Sequence, residues 1–303
     1  MTEDVLCLRN LTKKFGSRAC VSDVNMNIKK GDIYGFIGRN GAGKTTTLKM
    51  IVGLTEPTSG EITLFGSNSL SKGRRKTGTV IESPVFVPHF SARKNMYIQW
   101  RLLNSENENI IDETLELVGL KDVGNKKAKD FSLGMKQRLG IGMALMGNPE
   151  FLVLDEPING LDPEGIISVR TLLKKLNEEK GVTILISSHL LNELSRLATR
   201  YGIINNGKML DEFSLDELED RCESHLEVKV DDVKKAENLL KGSFPDANLK
   251  VLPAKNVIEI HKFTGKPGDI TKELALNDVF VESIKKSSVD LEDYFMKVIG
   301  GEN

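Results

Sequence analysis

An α/β fold is expected from this 303-residue sequence. It is a helix-covered, largely parallel sheet with an N-terminal antiparallel β subdomain and a helical subdomain, followed by a small α+β domain. Three observations lead there. Short apolar runs at Asp32–Ile37, Phe151–Leu154 and Thr183–Ile186 alternate with stretches of helical period, the pattern of buried parallel strands covered by helices. A glycine-rich turn, Gly38–Thr45, joins the first run to a helix beginning at Thr46. Beyond Asp211 the order changes to β-α-β-β-α-β, which matches a split βαβ module. The length suits one large domain plus a smaller one, and we place them at 1–215 and 216–303.

Taken in order, Leu6–Leu11 and Val21–Ile28 carry alternating apolar residues around Gly16-Ser17-Arg18, which predicts an antiparallel pair. After the helix to Val52, the cluster Glu56–Gly60 is a turn and Glu61–Phe65 a short strand. Thr79–Ile81 is another strand, running into Glu82-Ser83-Pro84, where proline ends regular pairing. From Ser91 to Val118, Met96, Trp100 and Leu103, then Ile111, Leu115 and Val118, recur at spacings of three and four, predicting two helices joined by Asn104–Asn109. They open a helical subdomain at about 88–148, completed by a helix that Ser132 caps and that runs to Gly147.

Asn159–Asp162 is a turn, Pro163 takes the first position of a helix to about Glu179, and Gly181 is its C-cap. Leu190–Leu197 reads as helical, and Tyr201–Leu210 as a hairpin turning at Asn206-Gly207. In the second domain, Leu215–Arg221 is a charged helix or linker. Strands are expected at Leu226–Val230, Leu249–Leu252, Asn256–His261 and Val279–Ile284, with helices at Asp232–Leu240, Asp269–Ala275 and Leu291–Ile299.

Composition excludes several classes. A net charge of −1 gives no global attraction to nucleic acid or to an anionic membrane. No apolar run is long enough to span a bilayer, and Met-Thr-Glu-Asp at the start predicts no secretory leader. Cys7, Cys20 and Cys222 form no C-x-x-C pair and read as thiols of a reducing compartment. His89, His189, His225 and His261 are far apart with no ligand spacing, so no structural zinc site is expected.

Gly38–Thr45 carries the chemistry. Strand, glycine-rich turn and helix N-terminus are the context of a phosphate-binding P-loop. Its glycines let backbone N–H groups converge on one anion, and the helix dipole adds to them. We assign nucleoside triphosphate binding to Gly38, Asn40, Gly41, Ala42, Gly43, Lys44, Thr45 and Thr46. Lys44 supplies a charge for the β- and γ-phosphates, and the Thr45 hydroxyl a ligand for Mg²⁺. Asp155 and Glu156 end a buried strand; the first suits Mg²⁺ and the second a general base for the attacking water. Phe15, at the end of the first strand, offers a flat face to an adenine ring.

The ordered motifs Gly38–Thr45, Phe131-Ser132-Leu133-Gly134-Met135, Leu152–Glu156, Asn159–Asp162 and His189 resemble those of the ATP-binding subunits of ABC transporters, over residues about 5 to 215. The resemblance implies that Ser132 and Gly134 of one copy close over the γ-phosphate held by another copy's P-loop. It implies that His189 touches that phosphate and orients the water, and that Asp162 bridges the dimer. It also implies a membrane permease on a separate chain, with this chain peripheral at the cytoplasmic face of the membrane. Two departures stand out: F-S-L-G-M replaces the usual L-S-G-G-Q, and Glu82 stands where a glutamine is usual. Glu82, the length and the closing segment Ser288–Phe295 resemble the bacitracin-resistance and lantibiotic-immunity subgroup. We expect Glu82 to join the Mg²⁺ ligands.

The expected protein is thus an ATPase (ATP and Mg²⁺) powering an exporter, with no nucleic acid as partner. An ABC ATPase acting on nucleic acid or ribosomes is the alternative; it is disfavoured by near-neutral charge and by a single nucleotide half-site. A nucleotide switch without hydrolysis is disfavoured by Glu156.

Overall fold

The computed structural model describes residues 3–104, 107–221, 225–245, 247–261, 263, 265–287 and 291–300. Cys222, part of the Asn104–Asn109 connection and the start of the closing segment, Ser288–Asp290, lie outside the described residues. The chain divides into two compact units, the second being Asp216–Gly300.

The first unit begins with β1 (Asp4–Phe15) and β2 (Arg18–Lys29), an antiparallel pair. Both are longer than their alternation suggested. Bulges where Asn10 (φ 48°) and Asp23 (φ 52°) take left-handed backbone let each strand continue past the break in pattern. β3 (Ile33–Ile37) leads through the glycine-rich turn into α1 (Lys44–Val52). β4 (Ser59–Leu64) then pairs with β1, completing a three-stranded antiparallel sheet whose apolar face, with Leu6, Leu8 and Ile28, packs into the same core as Leu48 and Met50 of α1.

A short helix absent from the expectation, α2 (Leu70–Arg75), precedes β5 (Thr77–Val80). The helical subdomain holds α3 (Ala92–Leu102), α4 (Asn109–Leu117) and α5 (Leu133–Ala144). Met96 and Trp100 face its interior, and Trp100 is 8% exposed, with the Tyr97 ring 5.6 Å away. Then come β6 (Phe151–Asp155), α6 (Pro163–Lys180), β7 (Thr183–Ser188), α7 (Leu191–Leu194), β8 (Arg200–Asn205) and β9 (Lys208–Ser214). α7 is one turn, not the eight-residue helix expected at Leu190–Leu197; the chain turns into β8 right after it, and Tyr201 is buried against that turn, its hydroxyl donating to the Ala198 carbonyl.

The central sheet runs β5-β6-β7-β3-β8-β9. Its first five strands are parallel, and β9 returns antiparallel through Asn206-Gly207, whose φ values of 46° and 80° make the tight hairpin. Every residue of β3, β6 and β7 is buried, as strands covered on both faces require. Their ends coincide: Ile37 is level with Ser188, and Asp155 with Ser187. The residues just past those ends therefore emerge together at one rim of the sheet.

The second unit has α8 (Leu215–Arg221) at its start. Next come β10 (His225–Val230), α9 (Val233–Ser243), β11 (Asn248–Leu252), β12 (Val257–His261), α10 (Pro267–Leu276), β13 (Val281–Ser287) and α11 (Leu291–Gly300). The sheet order is β11-β12-β10-β13, antiparallel throughout, the topology of the split βαβ module. Leu226, Val228 and Ile258 pack against Leu240 of α9 and Leu274 of α10. One expectation is corrected here. His225 and His261, distant in sequence, stand directly opposite each other on β10 and β12.

Candidate active site

Gly38 begins the turn because nothing larger fits. A Cβ there would lie 2.6 Å from the Ile204 carbonyl oxygen. Gly43 is in left-handed backbone at φ 111° and is wedged against the Cys20 carbonyl. The Gly207 N–H donates to the Ala42 carbonyl at 2.9 Å, so the β8–β9 hairpin braces the turn from outside. Asn40 and Gly41 are exposed at its crest, while Thr46 continues α1.

Lys44 points back into the turn. Its Nζ donates to the Gly38 carbonyl at 2.7 Å and lies 3.1 Å from Glu156 Oε1. The side chain is only 6% exposed, so this charge is held where its partners are. Glu156, just past β6 at φ 48°, also meets His189 Nδ1 through Oε2 at 2.8 Å. A non-glycine residue in left-handed backbone costs about 1–3 kcal/mol and recurs at functional sites. Here it turns the carboxylate between a lysine and a histidine.

Thr45 and Asp155 meet beside this group. The Thr45 hydroxyl donates to Asp155 Oδ2 at 2.8 Å, and the Ser187 hydroxyl donates to Oδ1 at 2.6 Å. Ser187 also receives the Glu156 N–H on its Oγ at 3.0 Å. It therefore locks both acids, a role the sequence reading passed over. The signal was the pair of hydroxyls, Ser187 and Ser188, that follows the apolar run Ile184–Ile186. Asp155 is 3% exposed and makes no ion pair among the described residues. Two hard oxygen donors around an uncompensated buried carboxylate fit Mg²⁺.

The remaining candidates lie apart from that cluster. Phe15 ends β1 opposite Arg18 with its ring 55% exposed and Lys13 Nζ 5.0 Å from the ring centre. Ser132 caps α5, its Oγ accepting from Met135 N at 3.3 Å. Asp162 caps α6, accepting from Gly165 N at 2.9 Å. Gly134 packs near Gly165 and Leu161, which joins the α5 cap to the turn after β6. None of these polar groups bonds to the chain's own P-loop; both caps are spent on their own helices.

Glu82 stands at φ 63°, just past β5, with its carboxylate 2.5 Å from Lys49 Nζ. Lys49 is one helical turn beyond Thr45 on the same face of α1. The structure thus pairs Glu82 with a lysine of α1, while Thr45 meets Asp155. Pro84, two residues on, packs against α5, where a Cβ on Gly140 would lie 2.5 Å from it. Ser83, Pro84 and Val85 line a groove of about 760 Å³ together with Leu54, Leu102 and Leu103. Val85 is 85% exposed, Leu102 73% and Leu54 67%. Asn95, buried in α3, fixes the loop beside it, accepting from Val87 N at 2.7 Å.

Comparison with known proteins agrees with this geometry. The family model described as "ABC transporter" matches residues 21–159. The chain is 44% identical to the bacitracin transport ATP-binding protein BcrA of Bacillus licheniformis, covering 96% of each chain. It is 43% identical to the lantibiotic transport ATP-binding protein SrtF of Streptococcus pyogenes, over 70% of this chain and 92% of that one. Among solved structures it resembles a dimeric ATP-binding cassette in a post-hydrolysis state bound to ADP and Pi. That match has a TM-score of 0.63 and 30% identity, and covers 69% of this chain and 98% of the other.

Proposed function

The chain belongs to the family of ABC transporter ATP-binding subunits, and from that premise we propose that it hydrolyses ATP to power an exporter whose membrane path lies on a separate permease. The cargo class that its relatives suggest is an antimicrobial peptide of the bacitracin or lantibiotic kind. One observation carries the catalytic reading. Lys44, Glu156 and His189 form a continuous chain of contacts beside the Thr45–Asp155–Ser187 triad, at the rim where three parallel strands end.

In this reading the P-loop N–H groups and Lys44 take the β- and γ-phosphates, and the phosphates replace Glu156 as the partner of Lys44. Glu156 then accepts the proton of the water that attacks the γ-phosphorus, and His189 holds its carboxylate in place. Ser187 keeps both acids oriented. Thr45 and Asp155 would hold Mg²⁺, which when bound offsets phosphate charge. Phe15 stacks on the adenine. Ser132 and Gly134, turned away from their own P-loop, serve the γ-phosphate of a second copy in a head-to-tail dimer, with Asp162 at the contact. The groove around Val85 and Leu102, whose exposed apolar side chains sit among polar ones such as Arg75, Gln99 and Asn104, receives a cytoplasmic segment of the permease. Glu82, bridged to the metal side through Lys49 and to the groove through Pro84, links nucleotide state to that segment.

The test is paired. The purified chain should show Mg²⁺-dependent ATPase activity, and it should co-purify with a multi-span membrane protein when both are expressed. Cells carrying the pair should survive a peptide antibiotic that kills cells carrying the permease with Lys44→Ala. ATPase activity with no membrane partner, and no difference in survival, would refute the transport reading.

A further inference from the structure

The second unit holds a mixed cluster of imidazoles and carboxylates. β10 and β12 are antiparallel neighbours in a register that sets His225 opposite His261 and Glu227 opposite Glu259. The two pairs are two residues apart along each strand, so all four side chains leave the same face of the sheet. It is the face opposite α9 and α10, because the intervening Leu226, Val228, Ile258 and Ile260 form the core with those two helices. The imidazoles stack at 4.7 Å with 27° between their planes. His225 Nε2 lies 3.7 Å from Glu227 Oε1, and His261 Nε2 lies 3.4 Å from Glu259 Oε2. One ligand atom each from His225, Glu227 and Glu259 falls within 4.8 Å of the others.

We propose that His225, Glu227 and Glu259, with His261 stacked beside them, bind a first-row divalent cation such as Zn²⁺. Neutral imidazole nitrogens mixed with carboxylate oxygens suit zinc and its neighbours better than Mg²⁺ or Ca²⁺, which favour all-oxygen sets. An ion about 2 Å from each donor needs donors a little over 3 Å apart, so the side chains have to close by about 1 Å through rotation about their own bonds. Glu259 is 9% exposed and therefore in a setting that strengthens a metal–carboxylate bond. Its present partner, Lys250 Nζ at 2.9 Å, is 64% exposed and free to turn to solvent when a cation arrives. The two carboxylates balance the charge of the ion. The bound cation would join β10 to β12, the two central strands of this sheet.

The test uses the full chain, freed of metal with a chelator and kept without nucleotide, with Co²⁺ as the probe. Saturation at one Co²⁺ per chain is expected, with the visible ligand-field absorption of a tetrahedral site, bleached by competing Zn²⁺. His225→Gln and Glu259→Gln should each weaken binding by about tenfold or more, while His89→Gln, in the other unit, leaves it unchanged. Glu227→Gln, whose side chain is 42% exposed in the parent, provides a variant with little risk to folding and should weaken binding as well. Absence of the tetrahedral spectrum at saturating Co²⁺ would show the four residues to be an ion-pair ladder only. Equal affinity in the parent and the three cluster variants would place the ion elsewhere and overturn the proposal.

Discussion

Glu156→Gln separates the two duties of Glu156, because the same carboxylate touches Lys44 at 3.1 Å and His189 at 2.8 Å. Glutamine keeps the length and an acceptor oxygen but cannot take a proton from water. Loss of a positioned base costs about 10²–10⁴ in rate, which is about 2.7–5.4 kcal/mol on the barrier. The electrostatic effect runs the other way. Without ligand, Lys44 loses its anionic partner while 6% exposed, although its bond to the Gly38 carbonyl remains. A hydrogen bond to a charged group contributes about 1.5–3 kcal/mol, so the nucleotide-free variant should melt below the parent. Phosphates supply the missing negative charge, so bound ATP should recover that loss, and ATP affinity should stay within about tenfold of the parent. Single-turnover hydrolysis, thermal melting with and without Mg²⁺–ATP, and light scattering measure the three quantities. The variant should hydrolyse slowly, be stabilised more by ATP than the parent is, and accumulate as a dimer. A hydrolysis rate equal to the parent's would remove Glu156 as the base. A monomer at saturating Mg²⁺–ATP would refute the shared-site dimer.

Other substitutions probe the remaining links. Glu82→Gln should keep ATPase activity within about an order of magnitude, since its amide oxygen still meets Lys49. Glu82→Ala should reduce cell survival on the antibiotic more than it reduces hydrolysis by the isolated chain, and parental values in both assays would sever Glu82 from coupling. Ser132→Ala removes an exposed cap with a long 3.3 Å bond, so its stability cost should be at the low end, about 0.5 kcal/mol. Its ATP-driven dimerisation, followed by light scattering, should nevertheless fall sharply; dimerisation equal to the parent's would remove Ser132 from the interface. Ending the chain after Leu215, the last residue of the first compact unit, should leave nucleotide binding and basal hydrolysis intact. A folded truncation that binds no ATP would show that the second unit completes the site.

The nucleotide site was readable because its residues act through local chain geometry. A glycine turn between strand and helix, and acids at a strand end, are set by neighbours in sequence. The cap role of Ser132 followed for the same reason. What escaped depends on contacts between distant segments. Ser187 holds Asp155 only because β6 and β7 are in register, and Glu82 meets Lys49 across 33 residues. The opposed histidines of β10 and β12 are separated by 36 positions, and only strand pairing reveals them. The full length of β1 and β2 was hidden because bulges reset the alternation that a strand reading relies on. α7 read as longer than it is, because apolar spacing near a turn does not show where the chain leaves the helix.

Trp100 is the chain's single tryptophan, and it lies inside α3, one residue from Gln99 and two from Leu102 on the wall of the groove that Val85 also lines. Indole emission responds to the polarity and packing around the ring. Light absorbed by tryptophan in the purified chain is therefore absorbed in the helical subdomain alone, without an attached dye. Ring packing in the nucleotide-free chain, with Tyr97 on one side and the Arg101 guanidinium 5.9 Å from the ring centre, sets the baseline colour. Any ATP-driven movement of this subdomain that repacks α3 then registers as a spectral shift, in real time and at a single known address.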